Sequence, residues 1–233
     1  MMSNFIHLQT KSHYSISCGL PKTNEIVDKA LESGMKAVAL ADKNTFFGLV
    51  KFYNYALSKG IKPICGVDFD IKVNNGYTNL ILLAKNKKGL EKLFKLSTES
   101  FVKSGSEKRS IPEQDILNNA DDIVCIIPSS SPNLRNLALK KEDLLIDQHY
   151  KKYLEAFAEN LFVGVSNFSK DGYDSASALA CNLAKKNNIK AVAINDVLFL
   201  EKEDHLAHQA KVAINNATLL KDEIDNPNVS SDL

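Results

Sequence analysis

The sequence is poor in the features that would make its chemistry obvious. It has no tryptophan, no Cys-x-x-Cys spacing and no glycine-rich phosphate loop after a β-rich segment, and its formal net charge is only +1. No apolar run approaches the roughly 18 residues that a membrane-spanning helix needs, and the N-terminus lacks a signal-peptide core. These absences point to a cytoplasmic protein with no membrane contact. Near-zero net charge gives no global field for nucleic acid, so direct DNA contact is not expected. The four cysteines, Cys18, Cys65, Cys125 and Cys181, are scattered and are expected as free thiols.

What is present is an ordinary globular composition over 233 residues, 44% hydrophobic and 24% charged. β-rich runs fall at 5–9, 36–41, 62–69, 78–84, 122–128, 161–166 and 190–195. Most are continuously apolar, as expected of strands covered on both faces. Helical stripes lie between them. Phe46, Val50, Tyr53 and Leu57 form one, Tyr150, Tyr153, Leu154 and Phe157 a second, and Ala176, Ala180, Leu183 and Ala184 a third. Leu206, Ala210, Ala213 and Ile214 form a fourth, with weaker patterns at Ile26, Ala30 and Leu31 and at Leu90, Leu93 and Phe94. Strands alternating with helices predict a parallel α/β fold, and the missing phosphate loop favours a barrel over an open doubly wound sheet. The stretch 103–111 is expected as a polar surface loop. The end of the chain, from about residue 216 to 233, shows no core periodicity and is expected as a linker.

In such a barrel, chemistry gathers where strands end. Those ends carry Gln9, Lys11, Asp42, Lys43, Asp68, Asn79, Ser129, Ser130, Gly164, Asn167 and Asp196. His7, inside an apolar strand, is expected as a satisfied structural histidine, and His13 as a solvated loop residue. His205 and His208 have an i, i+3 spacing that can clamp metal, but no third ligand lies nearby in sequence. "PSSSP" at 128–132 reads as a turn rather than a nucleophile site.

The phrases "FIHLQTKSHYSISCGLPKT", "GMKAVALADKNTFFGLVKFY", "GIKPICGVDFDI", "NLILLAKNKKGLEKL" and "KAVAINDVLFL", in this order, resemble the PHP (polymerase and histidinol phosphatase) domain, specifically that of the bacterial DNA polymerase III alpha subunit. The resemblance implies a distorted seven-stranded (β/α)7 TIM-like barrel over residues 1–215, with 216–233 leading toward a polymerase palm region. It implies DNA replication as the setting, with the parent a DNA-directed DNA polymerase, a nucleotidyltransferase. The role of this domain would be structural support of palm and thumb. Its implied partners are the proofreading exonuclease subunit and other replicase subunits.

Metal-bearing members of the family hold two or three divalent ions. Against their ligand pattern, Gln9 and Lys11 stand in place of a His-x-His pair, and Cys18 in place of an aspartate before Gly19. Asp42 is kept but is followed by Lys43 instead of histidine. Asp68 replaces a glutamate, Asn79 a histidine, Ser130 a cysteine and Gly164 a carboxylate. The closing Asp-x-His becomes Asp196 and Leu198. The resemblance thus implies a vestigial metal site with no catalytic residues and no expected cofactor. Any residual Mg²⁺ or Mn²⁺ binding would be weak and would rest on Asp68 and Asp196. An ammonium about 4 Å from a divalent cation is repelled by roughly 8 kcal/mol at an effective dielectric near 20. Deprotonating the lysine at neutral pH costs about 4–5 kcal/mol. Lys11 and Lys43 are therefore expected to pair with the orphaned carboxylates Asp42, Asp68 and Asp196. The rival reading is an active metal-dependent phosphoesterase, a 3′–5′ exonuclease or a pyrophosphatase.

Overall fold

The computed structural model describes residues 5–74, 76–103, 108–132, 134, 136, 143–166 and 173–225. In chain order the elements are β1 (Gln9–Thr10), α1 (Thr23–Glu32), β2 (Ala37–Lys43), α2 (Leu49–Ser58), β3 (Lys62–Val73) and β4 (Gly76–Ala84). There follow α3 (Lys87–Lys103), β5 (Ile111–Pro112), α4 (Glu113–Leu117), β6 (Ile123–Pro128), α5 (Asp143–Phe157) and β7 (Leu161–Val165). The chain continues with α6 (Tyr173–Lys186), β8 (Lys190–Ala193), β9 (Asp196–Val197), α7 (His205–Asn216) and α8 (Leu220–Asp225). Among the described residues no helix is long and apolar enough to cross a membrane.

These elements form two compact units. One joins Met1–Cys65 to Asn195–Leu233, and the other is Gly66–Ile194. In the first, β1 and β9 pair in parallel with Gln9 opposite Asp196 and Thr10 opposite Val197. The Ala39 N–H donates to the His7 carbonyl at 2.9 Å, which sets β2 beside the start of the chain. β2 is buried from Ala37 to Asp42 because every residue before the aspartate is apolar.

In the second unit β4 runs antiparallel to both β3 and β6, whereas β6, β7 and β8 run parallel. The expectation of an all-parallel sheet is corrected here. Val73 pairs with Gly76, so β3 and β4 form a tight hairpin with no crossover helix between them. The expected polar loop at 103–111 also ends in structure, since Ile111 pairs with Ile71 as part of β5. Residues 104–107 of that loop lie outside the described residues.

Helix facing agrees with the apolar spacing on some helices and departs from it on others. In the second unit Tyr150, Tyr153 and Phe157 of α5 and Ala176, Ala180 and Ala184 of α6 are buried, as their spacing predicts, whereas Phe94 of α3, expected inward beside the buried Leu93, is 39% exposed. In the first unit α2 buries Leu49, Phe52 and Ala56, while the expected inner residues Val50, Tyr53 and Leu57 are 68%, 42% and 54% exposed. Two overlapping apolar arcs share this helix, and the one centred on Phe52 takes the core. α7 does the same, burying His208, Gln209 and Ala213 and exposing Leu206 and Ile214. Beyond it, α8 forms where periodicity gave no signal. It is held by Glu223, whose backbone carbonyl accepts from Gln209 Nε2 at 3.1 Å and whose carboxylate accepts from Thr218 Oγ1 at 3.0 Å.

Candidate functional site

The positions marked in the sequence divide between the two units. In the first lie Gln9, Lys11, Cys18, Asp42, Lys43, Asp196 and Leu198. Parallel pairing of β1 with β9 brings the lysine to the aspartate, and Lys11 Nζ forms a salt bridge with Asp196 Oδ1. The lysine side chain is only 3% exposed and the aspartate 43%. A buried ammonium is tolerated only when it is paired, and here the partner is a carboxylate that also reaches solvent.

Asp42 closes β2 and is fully engaged by the loop after β1. It accepts from the Ser12 N–H at 2.7 Å, Ser12 Oγ at 2.8 Å and Ser15 Oγ at 2.6 Å. The Lys43 N–H in turn donates to Ser15 Oγ at 2.9 Å. The expected pairing of a lysine with Asp42 is therefore corrected, because two serines satisfy this carboxylate. Gly19 makes that loop possible. A Cβ there would stand 2.1 Å from the Ser12 carbonyl oxygen, so the backbone closes in a way that only glycine permits. Cys18, just before it, is half-buried and not in a disulfide. Leu198 is 5% exposed, and its carbonyl accepts from the Leu20 N–H at 2.9 Å. Gln9 is buried with its Oε1 unpaired.

The second unit holds Asp68, Asn79, Ser130 and Gly164. The β3–β4 register places Asn79 opposite Asp70, and the Asn79 amide donates to Asp68 Oδ1 at 3.1 Å. Asp68 is 1% exposed. A Cβ on Gly164 would meet Ile194 Cδ1 at 2.4 Å and Ile126 Cγ2 at 2.9 Å, so a carboxylate there would require repacking of both isoleucines. In the turn after β6, Ser130 is half-buried, and Ser129 is the better connected hydroxyl. Ser129 Oγ lies 3.0 Å from Ser177 Oγ, and the Ser129 N–H donates to the Gly164 carbonyl at 2.7 Å. The Ser131 N–H donates to the Pro128 carbonyl, which makes the serine run a turn, as its composition indicates. Asn167 lies outside the described residues.

The histidines are structural in placement. His13 is exposed. His208 is 2% exposed, sits 5.5 Å ring to ring from Phe199 and leaves Nε2 unpaired. Burial, with smaller contributions from His205 and Lys211, lowers its pKa to about 4. Contrary to expectation, His7 is not satisfied. Its Nδ1 is buried without a partner, and burial lowers its pKa.

The residues in the marked positions do not suit a cluster of divalent ions. Asp196 is held by a lysine, Asp42 by two serines, and Gly164 is closed by isoleucine packing. Among the described residues no group of three or more His, Cys, Asp or Glu side chains could hold a metal ion.

The profile of the PHP domain matches residues 7–167, most of the chain. The chain belongs to the PHP domain family. Curated relatives of this PHP domain include the DNA polymerase III subunit alpha of Buchnera aphidicola subsp. Schizaphis graminum, 32% identical over 234 residues. That match covers 95% of this chain and 20% of the relative. The same subunit from Escherichia coli K12 is 31% identical over 222 residues, covering 94% and 19%. The chain is therefore homologous to the N-terminal part of DNA polymerase III alpha subunits and spans about a fifth of their length.

Among solved structures, an amidohydrolase from Chromobacterium violaceum with bound sulfate and no metal superposes with a TM-score of 0.55 at 13% identity. It covers 83% of this chain and 87% of that one. A two-domain protein from Bacteroides vulgatus, described as containing a predicted PHP-like metal-dependent phosphoesterase, gives 0.52 at 14% identity and covers 83% and 51%. These likenesses establish the fold, a mixed α/β chain of the PHP (β/α) barrel kind. Sequence reasoning overlooked Ser12 and Ser15 as the partners of Asp42. The available signal was the run "TKSHYSISCG", polar and closed by glycine beside a strand-end aspartate.

Proposed function

We propose that this PHP domain is the metal-free, non-catalytic domain of a replicative DNA polymerase alpha subunit, acting in the cytoplasm. Its work is to support the palm and thumb of the polymerase and to dock the proofreading exonuclease subunit and other replicase subunits. The observation that carries the reading is the Lys11–Asp196 salt bridge, in which an ammonium takes up charge that a metal-bearing relative would give to a cation. Exposed apolar residues on and beside α2, with Phe47 61% and Val50 68% exposed, favour a domain that works by contact.

The test is elemental analysis of the purified chain after incubation with excess Zn²⁺ and Mn²⁺ and exhaustive desalting. Metal close to zero is the expected result, and two or more retained equivalents would overturn the proposal. The rival, a metal-dependent phosphoesterase, would require exonuclease or phosphatase activity in Mn²⁺ that disappears in both Asp68→Ala and Asp196→Ala.

A further inference from the structure

On α2 the core takes Leu49, Phe52 and Ala56, and a second apolar arc is left exposed on Val50, Tyr53 and Leu57, with Phe47 just before the helix. Val50, Tyr53 and Leu57 follow an i, i+3, i+7 spacing, the seam by which one helix meets another. The surroundings of this seam carry one sign of charge. Between Asp42 and Asp68 the sequence holds Lys43, Lys51, Lys59 and Lys62 and no aspartate or glutamate. Lys51, next to Val50, is exposed, and its Nζ donates to Tyr14 Oη at 3.0 Å. Tyr14 is itself fixed against the start of α2, since a Cβ on Gly48 would stand 2.6 Å from Tyr14 Cδ2. Among the described residues Lys51 has no carboxylate partner. The nearby acid of α1, Asp28, is committed elsewhere, accepting from Tyr55 Oη at 2.9 Å and lying 3.8 Å from Lys59 Nζ.

We propose that the α2 seam seats an acidic amphipathic helix of a partner protein. Its apolar face meets Val50, Tyr53 and Leu57, and glutamate or aspartate runs along the edge that passes Lys51. The inference rests on the contact role proposed above and names the chemistry of the partner. Three features select this occupant. The apolar spacing is helical and spans about two turns, which an apposed helix of similar length covers. A helix surface offers no free backbone edge, so an extended segment gains no strand pairing here. A second copy of this chain is also a poor occupant, because a symmetric contact between two α2 helices would set lysine against lysine. An acidic partner instead complements the lysines, and the anchored Lys51 ammonium is already placed beside the seam.

The experiment is an NMR titration of the isotopically labelled 233-residue chain with three synthetic peptides of about two heptads. The first has leucine at the seam positions and glutamate beside them, the second has lysine in place of the glutamate, and the third scrambles the first so that no seam remains. The first is expected to bind, with amide shifts centred on residues 47–57, and the other two at least about tenfold more weakly. Val50→Asp should weaken the acidic peptide at least about tenfold and Lys51→Glu about threefold. Leu206→Asp, on an exposed face of α7, should leave binding unchanged. All three side chains are exposed, and an unaltered spectrum away from each substitution verifies the fold. No binding by the acidic peptide, equal binding of the lysine or scrambled peptide, or indifference to Val50→Asp would each overturn the proposal. So would a dimer in sedimentation velocity that Val50→Asp dissociates. Metal retained in the elemental analysis would overturn the parent reading without altering this titration, so the two failures are distinct.

Discussion

Within Gly66–Ile194, α5 buries Tyr150, Tyr153 and Phe157 and α6 buries Ala176, Ala180 and Ala184, while α3 leaves Phe94 39% exposed. Within the unit built from the two ends of the chain, α2 and α7 expose several of theirs. The marked site positions differ in a parallel way. Those of the second unit are held by packing and a side-chain amide, with Gly164 against two isoleucines and Asn79 donating to Asp68. In the first unit Asp196 is held by an ion pair with Lys11 and Asp42 by hydrogen bonds from Ser12 and Ser15. The exposed apolar residues of α2 and α7 are what support the proposed contact role.

The comparison breaks most easily on α2. Phe52→Ala should cost about 3–5 kcal/mol, whereas Leu57→Ala should stay within about 0.5 kcal/mol, measured by urea unfolding of both variants. Similar losses in the two would mean that the stripe at Val50, Tyr53 and Leu57 is covered after all. A smaller effect sharpens the electrostatic half. Asp196→Ala removes a carboxylate partner from the buried Lys11 ammonium and should cost about 2–3 kcal/mol, while Lys11→Met leaves a half-exposed carboxylate and should cost less than about 1 kcal/mol. Equal costs would show that the burial of Lys11 is not what makes the pair matter.

The smallest effect concerns pH. His208 titrates near 4 when folded against about 6.5 when unfolded, so between these values the unfolded chain binds more protons. Its contribution to stability is complete above pH 6.5 and is lost as pH falls toward 4. His208→Leu should flatten that part of the stability profile, and an unchanged slope would assign it to other groups.

Much of the architecture was legible from local pattern. Continuous apolar runs located β2, β4, β6 and β7 to within a few residues, because a strand covered on both faces has little choice of composition. Two-residue strands such as β5 and β9 carry no such signal, and the antiparallel direction of β4 depends on a short turn rather than on the strand itself. Helix facing was ambiguous wherever two apolar arcs overlap, as Leu49, Phe52 and Ala56 do with Val50, Tyr53 and Leu57 on α2.

For the site, the sequence by itself determined the donor chemistry. The family resemblance puts lysine, glutamine, glycine and leucine where imidazoles and carboxylates would serve a metal, and residue identity alone sets what an atom can coordinate. Tertiary structure decided how each leftover charge is compensated. Lys11 and Asp196 are 185 residues apart and meet only through the β1–β9 register, and Asp42 selects Ser12 and Ser15 because Gly19 lets the loop fold back onto them. The buried, unpaired Nδ1 of His7 belongs to the same category. Whether a buried polar atom finds a partner depends on which distant segments pack around it, and no local stretch of sequence carries that information.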